Sequence, residues 1–167
     1  LNAKDFGLPQ NRRRIFIVGF KRKRINFNYP QESEIQTKVG DILEVGRPKK
    51  KYIISPKLWD SHQKRKKRNE EKGWGFGYSV FSKKDVYTRT LSARYYKDGS
   101  EILISRGKGR EPRKLTPREC ANLQGFPRNF TIHHSNIEAY KQFGNSVPVS
   151  VIKALCIEMI SAYNAYL

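Results

Sequence analysis

Positive charge in this chain is segregated, which leaves few places for a core. Residues 12–24 carry seven Lys/Arg and no acid, residues 47–72 eleven against three acids, and residues 106–118 six against one. These stretches together hold +20 of formal charge, the whole chain carries +19, and everything else nets −1. Self-repulsion on that scale opposes a compact state unless a polyanion or an acidic partner relieves it. Apolar residues make up 37% of the 167, with nine Tyr, nine Phe and two Trp, so a core is available between the basic stretches and wholesale disorder is excluded. Basic stretches gathered in this way are expected of faces that bind nucleic acid. A merely solvated basic surface is the plainer alternative, above all for KRKKR at 64–68.

The two cysteines, Cys120 and Cys156, stand in no metal-like spacing. Neither a disulfide framework nor a metal site is expected, and a reducing, cytoplasmic setting fits. The sequence shows no signal peptide, and no apolar run reads as long enough to cross a membrane. The chain begins with Leu1 and has a single methionine, Met159, which points to a piece of a longer polypeptide.

Local signals give a coarse architecture. IFIVGF (15–20) predicts a short buried strand, Thr37 to Glu44 a short helix, and Lys57 to Lys72 a strongly basic helix after Pro56. GWGFGYS (73–79) alternates glycine with aromatics, which no helix tolerates. Residues 86–95 and 101–105 predict two strands joined at Asp98-Gly99, a hairpin turn signal. Thr116-Pro117-Arg118-Glu119 and Ser135-Asn136-Ile137-Glu138 predict capping boxes. After Pro148, Ile152, Leu155, Cys156, Met159, Ile160 and Tyr163 form one apolar stripe at helical period.

Three stretches carry chemistry. In QNRRR (10–14), strand-like alternation puts Gln10, Arg12 and Arg14 on one side. Guanidinium forks there suit phosphates or a base edge; a single surface phosphate contact is the blander reading. RKLTPRECANLQGFP (113–127) and AYKQFGNSVPVSV (139–151) follow in order. This ordered set resembles the C-terminal motifs of DNA (cytosine-5)-methyltransferases, and the resemblance covers essentially the whole chain.

The resemblance implies an α/β fold: the C-terminal portion of a Rossmann-like, S-adenosylmethionine-dependent methyltransferase domain, plus a small, mostly β or irregular target recognition domain. It implies three parts: 1–45 as the last strand region of the catalytic domain, 46–128 as the recognition domain, and 129–167 as helices returning to the catalytic domain. It assigns Arg14 to the flipped cytosine and Arg12 to holding the site and backbone, with Gln10 supporting their loop. Asn145, Ser146 and Val147 would help wall the methyl-donor pocket. The family's Phe-x-Gly-x-Gly, Pro-Cys and Glu-Asn-Val segments are absent here. The nucleophilic thiolate therefore lies elsewhere, and this chain alone is expected to transfer no methyl group. Cys120 and Cys156 read as buried small hydrophobes.

In the recognition region, Thr90-Leu91 matches a Thr-Leu pair typical of the family, with Thr88, Arg89, Ser92, Arg94 and Tyr95 around it. Arginine is the usual reader of guanine in the major groove, and Arg89 and Arg94 are alternatives for that role. Lys64, Lys66 and Lys67 are expected on phosphates, giving affinity rather than sequence choice. The stretch from Lys51 to Ile104 is also similar to recognition regions of bacterial methylases acting on palindromes that begin with CC and end with GG. The resulting expectation is a bacterial, nucleoid-associated restriction–modification methyltransferase acting on double-stranded DNA. Its partner is an N-terminal catalytic part, either truncated away or a separate subunit. A non-catalytic DNA-binding module or specificity subunit, and a generic RNA-binding protein, stay open as rivals.

Overall fold

The computed structural model describes all 167 residues. The helices start where side chains can satisfy their first N–H groups. α1 spans Val39–Ile42, and its Asp41 carboxylate accepts from the Lys38 N–H at 2.7 Å. α2 spans Pro56–Glu71; Ser55 caps it by accepting from the Leu58 N–H at 3.2 Å, with Pro56 opening the first turn. Only His62 and Asn69 of α2 are buried, so the helix presents its lysines and arginines to solvent.

α3 (Pro117–Leu123) begins with the expected capping box: Thr116 Oγ1 accepts from the Glu119 N–H, and the Glu119 carboxylate accepts from the Thr116 N–H. That carboxylate does more. It receives both prongs of Arg113, at 2.7 and 2.8 Å, and the Glu44 N–H at 2.9 Å. Four donors on one buried carboxylate fix the end of α1, the entry to α3 and Arg113 in one place. Such a pair specifies geometry more than it adds stability.

Three two-residue strands form a small mixed sheet. β2 (Leu103–Ile104) lies centrally, parallel to β1 (Val80–Phe81) and antiparallel to β3 (Arg113–Lys114). The expected hairpin between 86–95 and 101–105 does not form. Its turn exists, with Gly99 at φ 64°, but Leu91 and Tyr95 both point into the core. The Tyr95 hydroxyl donates to the Ile102 carbonyl and accepts from the Leu115 N–H, locking the segment inward. Thr88 takes its bridge from Gln10 instead.

The main core gathers Val39, Leu91, Tyr95, Leu115, Leu123, Tyr140 and Phe143 among thirteen buried residues. α4 (Asn136–Asn145) packs on α3 there. Its expected capping box at Ser135 is absent. Glu138 bonds Lys141 instead, and the Ser135 N–H donates to the His133 ring.

A second, smaller core joins Ala3, Phe6 and Leu8 to Val151 and Leu155 of α5 (Val149–Asn164). The rest of the α5 stripe, including Ile157 and Ile160, is exposed. By length and composition Asn136–Asn164 could cross a membrane, contrary to the sequence expectation. It is broken, however, at Ser146–Pro148, where both residues leave helical geometry.

The predicted strand at 15–20 is extended but unpaired. Phe16, Val18 and Phe20 are partly covered, while Ile15 and Ile17 are 91% and 93% exposed. The alternation of a strand is present without a partner strand.

Candidate nucleic-acid interface

α2 supplies the largest basic surface. Lys64 reaches Asp60 at 2.8 Å, Lys66 lies 3.9 Å from Glu70, and Lys67 is exposed. Such exposed pairs hold little energy, so these ammonium groups remain free to meet phosphates. The helix is anchored by Arg65, which bonds Asp98 at 3.2 Å and the buried His62 ring at 3.2 Å. Beyond its C-terminus, Trp74 and Phe76 stack on each other at 5.5 Å and are 48% and 61% exposed.

Next to this surface, two distant segments run side by side. The Thr88 N–H donates to the Pro9 carbonyl, and the Asn11 N–H to the Thr88 carbonyl, each at 2.9 Å. Thr90 Oγ1 donates to the Asn11 carbonyl at 2.7 Å, and the Leu91 N–H to Gln10 Oε1 at 2.9 Å. Gln10 is fully buried and also reaches the Leu123 carbonyl and the Gln124 side chain, at 3.3 and 3.4 Å. Gln10 is thus the support that QNRRR implied.

Arg12 ties in the third segment. Its guanidinium donates to the Leu91 carbonyl at 2.7 Å, the Gly144 carbonyl at 3.0 Å and the Ser146 carbonyl at 2.8 Å. Burial, and then the Arg14 charge, lower its pKa to about 10. It remains a cation at neutral pH, held by carbonyl dipoles with no carboxylate beside it. Gly144 packs flat on the Ser92–Ala93 peptide. Gln124 completes the joint, donating to the Phe143 carbonyl at 2.7 Å while its own carbonyl accepts the Val149 N–H.

This geometry corrects part of the expected site. Arg12 is only 4% exposed and its two terminal nitrogens are bonded to carbonyls, so it holds segments of the chain together instead of standing open on a face. Thr88 and Tyr95 are likewise buried, with their hydroxyls bonded internally. Arg14 is exposed, and its guanidinium hydrogen-bonds only the neighbouring Arg13 carbonyl, at 2.7 Å. Arg89 and Arg94 are exposed, and Thr90 and Ser92 are partly so. The Ser92 hydroxyl is taken by Glu101, at 2.6 Å. Asn145 and Val147 lie on the surface between α4 and α5, whereas the Ser146 hydroxyl turns back to the Phe143 carbonyl at 2.8 Å. Gln124 and Gly144 carried no chemical signal in the sequence, although a glycine late in a helix is costly enough to notice.

The family model for C-5 cytosine-specific DNA methylases matches residues 1–161. This chain belongs to that family. It is 57% identical to the type II methyltransferase M1.ScrFI of Lactococcus lactis subsp. cremoris, over 95% of this chain and 41% of that protein. It is 54% identical to the type II methyltransferase M.NlaX of Neisseria lactamica, over 99% of this chain and 52% of that protein. The chain thus spans about half the length of these methylase relatives. The Schizosaccharomyces pombe Dnmt2 methyltransferase shares its fold, with a TM-score of 0.69 and 17% identity, over 98% of this chain and 56% of that one. The α/β class expected from the sequence is therefore that of the methyltransferase domain, here with its small mixed sheet.

Cys120 of this methylase chain does not have the setting of a nucleophile. Burial pushes the Cys120 thiol well above its ordinary pKa, and a buried thiol is inert. Cys156 is exposed on α5, against the expectation that it is buried. Cys120 is expected to resist alkylation at neutral pH until the protein unfolds. Labelling in the native state at the rate of a free thiol would contradict this.

Proposed function

We propose that this chain is the C-terminal, DNA-recognising part of an enzyme that methylates carbon 5 of a cytosine held out of a short palindrome, within a restriction–modification system of the bacterial cytoplasm. The CC…GG class of palindrome is part of the proposal, as is residence on the nucleoid. Residues 46–128 act as the recognition region. The observation that carries the reading is the Arg12 joint. It brings three widely separated segments to one point and leaves Arg14, Arg89 and Arg94 exposed, with Arg89 on a cleft shared with the basic helix.

Each open group has a task within this reading. A base must leave the stack before its faces can react. Arg14 then donates to the everted cytosine and stabilises charge driven into its ring when a thiolate of the remaining part adds. Arg89 or Arg94 reads guanine in the major groove, Thr90 and Ser92 line the adjoining backbone, and Lys64, Lys66 and Lys67 hold phosphates. The α4–α5 turn fits one wall of a cofactor site: the Asn145 side chain makes no hydrogen bond in the chain, and neither does the Val147 N–H. S-adenosylmethionine, when bound there, supplies the methyl group from its sulfonium. The exposed Ile15, Ile17 and outer α5 face are where the rest of the catalytic domain, or a separate catalytic subunit, covers this part.

Methyl transfer from labelled S-adenosylmethionine to duplex DNA tests the reading. Activity is expected in the intact enzyme, or on mixing this chain with its catalytic part, and none from this chain alone. Sequence-specific DNA binding without methylation in any combination favours a recognition module instead. Lys67→Ala, at an exposed cation of α2, is expected to weaken binding slightly and equally at all sequences, with a salt slope shallower by about one. A changed preferred sequence in a methylation assay contradicts that role.

A further inference from the structure

An open cleft of about 720 Å³ lies between α2 and the Thr88–Arg89 segment. Trp59, Tyr78 and Tyr87 wall it, Lys66 and Arg89 stand at its rim, and Asn11 closes one side. Neither Arg12 nor Arg14 belongs to its lining, and no carboxylate does. Trp59 meets Tyr78 edge-on at 4.6 Å, and the Lys66 ammonium sits 4.9 Å from the centre of the Tyr78 ring. Asn11 Oδ1 is taken by Asn2, while the Asn11 amide N–H groups make no hydrogen bond in the chain. Tyr87 remains 44% exposed beside them.

These features select a ligand. Reading a paired base uses polar groups aimed at its edge in a groove. Aromatic walls instead need the face of a ring, and stacking hides base faces within a duplex. The rim is cationic, as a phosphate requires, and its open amide donors suit a base carbonyl or ring nitrogen. An apolar protein segment would gain nothing from the two cations at the rim. The cleft is also continuous with the Gln10–Arg14 segment, because the Asn11 backbone N–H is bonded to the Thr88 carbonyl.

We propose that this cleft holds one nucleotide of the bound DNA out of the base stack, with its ring against Trp59, Tyr78 and Tyr87 and its phosphate on Lys66 and Arg89, which leaves the reading of guanine to Arg94. The proposal rests on the DNA-methylating reading above and adds a specificity site to it. A nucleotide that leaves the duplex at little cost, by its pairing or its neighbours, is favoured in that position, so sequence is selected without reading a base edge.

The test uses the intact enzyme and duplexes carrying the target palindrome. 5-Iodouracil is placed at one position at a time through the site and its flanks, and photo-crosslinks are mapped by mass spectrometry. A crosslink to Trp59, Tyr78 or Tyr87 from one position, with enhanced permanganate reactivity of thymine at that position, is expected. Crosslinks from no position, from several equally, or only from the position that is methylated overturn the proposal. Tyr87→Ser, at a side chain the fold leaves open, is expected to weaken binding of the target duplex about tenfold, the scale of one lost base–aromatic stack. Binding to an unrelated duplex should not change, and Tyr87→Phe should behave as the parent. Equal loss on both duplexes, or no loss, overturns it as well. Normal methylation without the crosslink removes only the cleft; failure to bind or methylate DNA removes the underlying reading too.

Discussion

Arg14→Ala in the intact enzyme is expected to abolish methyl transfer to duplex DNA while most duplex affinity survives. The two effects separate because they come from different residues. In the proposed reading affinity is spread over the exposed cations of α2 with Arg13, Lys108 and Arg110, each offering a phosphate contact. Arg14 is one guanidinium with no partner beyond the Arg13 carbonyl, so removing it leaves no buried group stranded and the fold intact. What is lost is a preorganised positive donor where charge develops, a loss of about 10²–10³ in rate for one such donor. Losing the contact that orients the everted base adds to this. Titrating a labelled duplex and measuring methyl incorporation on the same preparation decides the matter. Full activity in the variant refutes the role of Arg14, and collapse of binding assigns it to affinity instead.

Gly144→Ala is expected to be the most damaging single methyl addition in the chain. A Cβ at this position would sit 2.3 Å from the Ser92 carbonyl oxygen and 2.4 Å from the Ala93 nitrogen. Those atoms are backbone and cannot rotate away, so α4 and the 90–95 segment must separate. Overpacking a core typically costs about 1–3 kcal/mol, and contacts this short place the change at the upper end or beyond. The separation also draws the Leu91 and Gly144 carbonyls away from Arg12, and each unsatisfied buried acceptor adds about 1–3 kcal/mol. Denaturant unfolding of the intact enzyme should show a clearly lower midpoint. A variant as stable as its parent means that the joint between α4 and Ser92–Ala93 is looser than described.

How far the sequence foretold these features depends on what kind of partner each residue has. The basic helix and the Thr116 box were legible because their signals are local: a cap, a proline and a run of charge within a few residues. The exposed Arg14 was legible because guanidinium chemistry is carried by side chains. The hairpin was misread because Leu91 and Tyr95 serve a core assembled from residues far along the chain, and β-formers are equally at home there. The Ser135 box failed because His133 and Lys141 offered competing partners. Arg12 was taken for a ligand-facing fork because its actual acceptors are backbone carbonyls, which every residue possesses and no residue type announces.

The bare segment at 15–20 has a practical consequence. None of its six N–H groups bonds another backbone carbonyl, and two isoleucines stand beside them in water. An edge of this kind recruits whatever extended chain it meets. Produced alone, the polypeptide should self-associate through this edge as its concentration rises, and Ile17→Lys should keep it dispersed.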